Sequence, residues 1–152
     1  MGKSEYFEVN KLPGEKEQPQ IVLDAEKIYD LLLRAEVMMT KVDRVRYCNR
    51  AIGQILDIIS EFTLAYDFDD DREYHLKKMC AHVAMFLRTM RIIADSNVIH
   101  IKSKYDVETP DQIKLALMNH IAKLDEGVTK WRKSFIKSKK DKGKKGTTGI
   151  NG

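Results

Sequence analysis

The stretch Gln20–Tyr66, QIVLDAEKIYDLLLRAEVMMTKVDRVRYCNRAIGQILDIISEFTLAY, decides the fold. Its apolar residues recur every three or four positions. Ile28, Leu31, Leu32, Ala35, Met38, Met39 and Val42 form one series; Val45, Cys48, Ile52, Ile55, Leu56, Ile59, Phe62 and Tyr66 form a second. This is the spacing of a single face of an α-helix. One unbroken helix over 22–66 would be about 67 Å long at ~1.5 Å per residue, more than twice the width of a small domain. The stretch therefore predicts two helices with a bend near Lys41 to Arg44, where Asp43 or Thr40 supplies the N-cap oxygen.

The same period continues outward. Leu76, Met79, Cys80, Val83, Phe86, Leu87, Met90, Ile93 and Ala94 mark a third helix, and Ile113, Leu117, Ile121, Leu124, Val128, Trp131 and Phe135 a fourth. Between Gln20 and Glu126 only Gly53 and Pro110 disfavour helix, too little punctuation for the turns of a β fold. Asp67, Asp69, Asp70 and Asp71 make an acidic turn whose carboxylates suit the positive N-terminal end of the third helix. Thr109-Pro110-Asp111-Gln112 reads as a capping box with Pro at the first helical position, so the fourth helix starts there. The connection from Asp95 to Glu108 is longer than a minimal turn. It holds Val98, Ile99, Ile101 and Tyr105, which fit packing over one end of the helices.

A chain of 152 residues with 43% hydrophobic content has room for one compact core and no second domain. The sequence thus predicts an all-α fold, an up-down four-helix bundle over 21–138, with a disordered N-terminal leader over 1–20 and a disordered basic tail over 139–152. Its apolar runs fall far short of the roughly 18–20 residues that cross a bilayer, and the leader lacks the apolar segment of a secretory signal. These features predict a cytoplasmic protein. Cys48 and Cys80 fall in apolar helical patterns and read as reduced core thiols.

Charge is unevenly distributed. From Thr129 to Gly152 there are nine Lys or Arg against the single acid Asp141, a net +8, whereas the whole chain carries +4; the remainder is acidic by four. Further basic residues cluster as Arg44, Arg46 and Arg50 at the start of the second helix, and as Arg88 and Arg91, three apart on the third. Such clusters neutralise phosphates and bind nucleic acid without reading its sequence; the plain alternative is a solvated surface. The candidate contact residues are Arg44, Arg46, Arg50, Arg88, Arg91, Lys130, Arg132, Lys133, Lys137, Lys139 and Lys140. Tyr105, Trp131 and Phe135 have the chemistry to stack on bases, but Trp131 and Phe135 lie on the apolar stripe and fit the core better.

Catalytic and metal signatures find no match in the sequence. None of His75, His82, His100 or His120 has Glu three residues before it, as a di-iron bundle requires; His120, between Leu117 and Ile121, reads as a hydrogen-bonded boundary residue. A calcium loop starting at Asp67 would need Gly where Arg72 stands and Glu where Lys78 stands. No Gly-rich phosphate loop, nucleophile elbow or Cys-x-x-Cys pair occurs. The reading is accordingly a non-enzyme with no cofactor. Leu33, Val37, Met85 and Ile92 widen the apolar arcs of the first and third helices beyond one face, which predicts self-association.

Four segments in order resemble a known group: Ile28-Tyr29-Asp30-Leu31-Leu32, Lys41-Val42-Asp43-Arg44-Val45-Arg46-Tyr47 leading to Ile52-Gly53, Phe86-Leu87-Arg88-Thr89-Met90-Arg91-Ile92-Ile93-Ala94-Asp95, and Ile121-Ala122-Lys123-Leu124 running to Trp131 and a Lys-rich end. The group is the four-helix bundle superfamily of the accessory variability determinant of diversity-generating retroelements and the small proteins encoded in ribosomal RNA intervening sequences. The resemblance spans about residues 22–140 and departs where the family commonly has Gly before the last-helix Trp, here Thr129 or Lys130. It implies a homopentamer with a basic surface. In the retroelement branch, favoured here by the basic tail and Trp131, it implies a non-enzymatic accessory subunit that binds the reverse transcriptase together with template RNA and cDNA. In the intervening-sequence branch it implies a bundle acting through protein partners. A nucleic-acid-processing enzyme is the third reading, and no acid/base or metal constellation in the sequence supports it.

Overall fold

The four apolar series fold as four helices in a computed structural model that describes residues 19–151 apart from 69, 103, 105 and 106, with side chains through Ser134. Helix α1 is Gln20–Glu36; α2 opens as Lys41–Asp43, passes through a π-helical turn over Arg44–Cys48 and continues as Asn49–Asp67; α3 is Arg72–Asp95 and α4 Pro110–Asn151. Among the described residues the only regular structure is helical, so the all-α expectation is met. No helix among them is long and apolar enough to cross a membrane. Residues 1–18, most of the expected leader, lie outside the described residues.

The break between α1 and α2 comes earlier than expected, over 37–40, and Thr40 rather than Asp43 is the cap: its Oγ1 accepts the Asp43 N–H at 3.2 Å. Met38 and Met39 therefore leave the helix yet stay fully in the core. The Met38 carbonyl accepts the N–H groups of both His100 and Ile101, at 3.0 and 2.9 Å. This strap ties the α3–α4 connection across the α1–α2 break and seats Val98 and Ile99 in the core, as their apolar character predicts. The capping box at α4 forms in both directions: Gln112 N–H donates to Thr109 Oγ1 at 3.2 Å, and Thr109 N–H donates to Gln112 Oε1 at 2.8 Å. At α3 the expectation is met only in place. Asp71 caps the helix in a left-handed conformation, φ 57°, but its carboxylate accepts no capping hydrogen bond.

The core is largely the predicted stripes meeting: Ile28 and Leu32 of α1, Ile55 of α2, Phe86 of α3, and Leu117 and Leu124 of α4 are fully or almost fully buried. On α2 Ile58, outside the predicted series, is fully buried where the series predicts Ile59, which is half-buried. Val42, Val45, Leu56 and Tyr66, which share the helical period, end up exposed. Packing is unequal around the core. α2 lies most closely on α3 and α1 on α4, α1 meets α2 less, and α3 meets α4 least. Helical backbone runs on to Asn151, where the sequence predicts disorder over 139–152. Lys is a good helix former and no Pro follows Pro110, so helix is locally permitted there despite Gly143, Gly146 and Gly149.

This packing predicts a graded set of stabilities in urea unfolding. Phe86→Ala is expected to cost about 3–5 kcal/mol and Thr109→Ala about 1 kcal/mol, whereas Met118→Ala, on a face 68% exposed, changes stability by no more than about 0.5 kcal/mol. Equal costs at all three positions would contradict the assigned core.

Candidate functional site

The loosely packed side between α3 and α4 is an open seam made of two adjoining cavities, of about 360 and 370 Å³, which share Leu87 and Asp125. Ala84 and Ala94 on α3 and Ala122 on α4 line it and remain exposed, since their methyl groups are too short to reach the facing helix. The floor is aliphatic and thioether: Leu87, Met90, Ile93, Leu117 and Ile121. Arg91 and Lys114 stand at the end nearer the strap, Arg132 and Lys133 at the other, and Asp125 between them.

Of the basic residues singled out in the sequence, Arg91, Arg132 and Lys133 are thus brought to one seam. Arg88 is exposed on α3 beside it, and Lys130 is exposed on α4, where it pairs with Glu126 at 2.9 Å. The pair holds the Glu126 carboxyl below its ordinary value through the hydrogen bond from Lys130. It is solvent-exposed and therefore weak enough to exchange for another anion. Lys137, Lys139 and Lys140 stand on the helical backbone of α4 with side chains outside the described residues. Arg44, Arg46 and Arg50 do not join this group. They sit at the start of α2, which packs on α1 and α3. Arg46 and Arg50 are exposed, while Arg44 is half-buried in the π-helical turn with its Nε buried and without a hydrogen-bond partner.

The two cysteines occupy different settings. Cys48 is fully buried, its Sγ donating to the Leu32 carbonyl at 3.5 Å, and burial pushes its thiol up to about 11. Cys80 is half-buried at the seam; burial raises its pKa and the neighbouring Arg132 charge opposes that rise. Both are unpaired, but only Cys48 belongs to the core in full. Trp131 packs on Phe62, ring centroids 4.6 Å apart, in the core role its stripe predicts. The side chains of Phe135 and Tyr105 lie outside the described residues.

Other buried polar groups clamp the tight sides. Glu61 of α2 accepts from His75 Nδ1 at 2.6 Å and from Lys78 Nζ at 3.1 Å, both on α3. Buried Asp24 of α1 lies 3.4 Å from His120 Nδ1 of α4, the boundary role expected of that histidine. Sequence reasoning missed Asp24, Glu61, Lys114, Met118 and Asp125. For Met118, 68% exposed, and Leu115, 62% exposed, a signal existed: both fall off the α4 stripe, as Met85 and Ile92 fall off their own series.

Comparison with family models, with curated proteins and with solved structures finds no match to this chain.

The Glu61 cluster predicts a specific pH dependence. Burial pushes the Glu61 carboxyl up, but the hydrogen bonds and charges of His75 and Lys78 together outweigh it and hold the pKa below its ordinary 4.5. A carboxyl depressed in the folded state contributes stability that is fully present above its unfolded pKa and lost as pH falls through the folded value. Glu61→Gln is therefore expected to be less stable than the native chain near neutral pH, with the gap closing as pH falls below about 4.3. A gap that stays constant through acid titration would show that the ionised carboxylate contributes nothing.

Proposed function

We propose that the chain is a non-enzymatic, nucleic-acid-binding accessory subunit built as an up-down four-helix bundle, which engages RNA and cDNA through phosphate contacts. The observation that supports it is the placement of charge on α4. From Lys130 to Lys145 this one helix carries nine Lys or Arg and only Asp141 as an acid. Past Ser134 its 17 further helical residues, through Asn151, reach about 25 Å at ~1.5 Å per residue. A cationic rod of this length meets several successive phosphates and releases the counterions condensed on them. Arg88, Arg91, Arg132 and Lys133 extend the positive surface from the rod onto the α3/α4 side.

Phosphate contacts supply affinity and leave sequence unread, so a protein of this kind serves another that does the chemistry. The family resemblance supplies the partner: the reverse transcriptase of a diversity-generating retroelement, with this chain acting in a homopentamer during mutagenic copying of template RNA. The exposed apolar residues Leu33, Val37, Met85 and Ile92 favour self-association. The working compartment in this reading is the cytoplasm.

Two measurements test the reading. Binding to a structured RNA is expected to weaken at least about 100-fold between ~50 and ~200 mM salt. It should weaken at least about tenfold more when residues after Ser138 are deleted and Arg88 and Arg91 are reversed to Glu. Affinity indifferent to salt and to these changes would remove the assignment. Co-expression with a retroelement reverse transcriptase, followed by mass measurement of the purified complex, tests the partner: a complex holding several copies of this chain is expected, and failure to co-purify rejects that part.

A further inference from the structure

We infer that the α3/α4 seam is a docking groove for an amphipathic helix of a partner protein, acidic at both ends and basic at its centre. The inference goes beyond nucleic-acid binding and does not depend on it.

Shape is the first argument. The seam runs along α3 from Cys80 to Ala94 and ends at Asn97 just past the helix, about 25 Å in all at ~1.5 Å per residue, the length of a helix of about 17 residues. Because it is open along one side, a small molecule would stay largely wetted, whereas binding pockets for small ligands bury most of the ligand surface. A helix laid between α3 and α4 instead places every third or fourth side chain against the floor, the mode used where amphipathic helices bind grooves.

Floor chemistry is the second. Leu87, Met90, Leu117, Met118 and Ile121 are aliphatic or thioether. The unbranched, flexible Met90 and Met118 among them adapt to an incoming apolar face. Among the described residues neither cavity is lined by an aromatic ring, and single-stranded nucleic acid relies on aromatic platforms for its bases.

Charge decides the occupant's polarity. Arg91 and Lys114 stand at one end, Arg132 and Lys133 at the other, with Asp125 common to both cavities. Lys114 is already shared between Asn97 Oδ1, across the seam at 3.3 Å, and Asp111 Oδ1 on α4 at 3.2 Å, both at its own end of the seam. The other three cations make no ion pair with a described carboxylate. The complement of this pattern is an occupant with acids near both ends and a Lys or Arg opposite Asp125.

The test uses the full chain and a fluorescein-labelled probe helix of about 17 residues, the length set by the seam. The probe has Leu at i, i+4, i+7 and i+11, Glu at both ends and Lys at the centre. It is expected to bind at least about tenfold more tightly than the same peptide with its end charges reversed, and to slow alkylation of Cys80, but not of buried Cys48, as read by mass spectrometry. Ala122→Gln, at an exposed position, fills the seam and should abolish binding while far-UV circular dichroism stays unchanged. Asp125→Lys should weaken the probe with central Lys and favour one with central Glu. Equal binding of the two end-charge patterns, or no response to Asp125→Lys, overturns the inference. So does protection of Cys80 by single-stranded RNA and not by the probe, and so does protection that grows with protein concentration without any probe, which would assign the seam to a second copy of the chain.

Discussion

Four helices around one core have four sides to close, and the side chains at each side decide how far each can close. Between α1 and α4 Gly127 allows a close approach. A Cβ there would stand 3.1 Å from Ile21 Cγ1, so Ala at 127 would require the Ile21 side chain to give way by a few tenths of an ångström. Ala25 and Ala35 of α1, and Ala51 and Ala65 of α2, are buried to 1% or less, small residues spent where helices lie close. On the α3/α4 side the alanines are exposed instead. α3 packs on α2, and α4 on α1, far more than on each other, and Ala84, Ala94 and Ala122 do not fill the gap between them.

Polar burial reinforces the same inequality. Glu61 binds α2 to α3 through two donors, and Asp24 faces His120 across α1 and α4, so each well-closed pair contains a buried carboxylate near a partner from the other helix. A buried carboxylate of this kind adds little net stability, because its desolvation offsets most of the attraction. Its effect is on which helix faces which: a different pairing would leave Glu61 or Asp24 buried without a donor, at a cost of about 1–3 kcal/mol or more. Among the described residues the seam has no such clamp. The one acid among its described lining residues, Asp125, is exposed.

What could be read in the sequence follows from what periodicity encodes. The 3.6-residue repeat locates the stripes, so Ile28, Leu32, Ile55, Phe86, Leu117 and Leu124 were legible as core, and the Thr109–Gln112 pair as a helix start, because each depends only on residues one or two turns apart. Met38 and Met39 continue the α1 stripe without being helical, since the strap from His100 and Ile101 holds Met38 from 62 or more residues away in sequence, beyond any local pattern. Arg44, Arg46 and Arg50 shared charge with Arg88 and Arg91 but not location. Position around the core depends on which helices pair, and neither charge nor period specifies that. The seam was invisible for the same reason, although the off-stripe Met118 was a trace of it.

The distribution of charge along α4 gives the helix two unlike halves. Through Val128 it is held by apolar burial, with Ile113, Leu117, Leu124 and Val128 each 5% exposed or less. From Lys130 onward the cations dominate, in a chain that is otherwise acidic by four. Nine like charges at this density repel one another, and along a helix that repulsion acts against the backbone hydrogen bonds. In the proposed nucleic-acid-binding role, a polyanion laid along the segment would cancel this repulsion and so stabilise the helix as it binds. The apolar half would then fix the direction in which the cationic half projects.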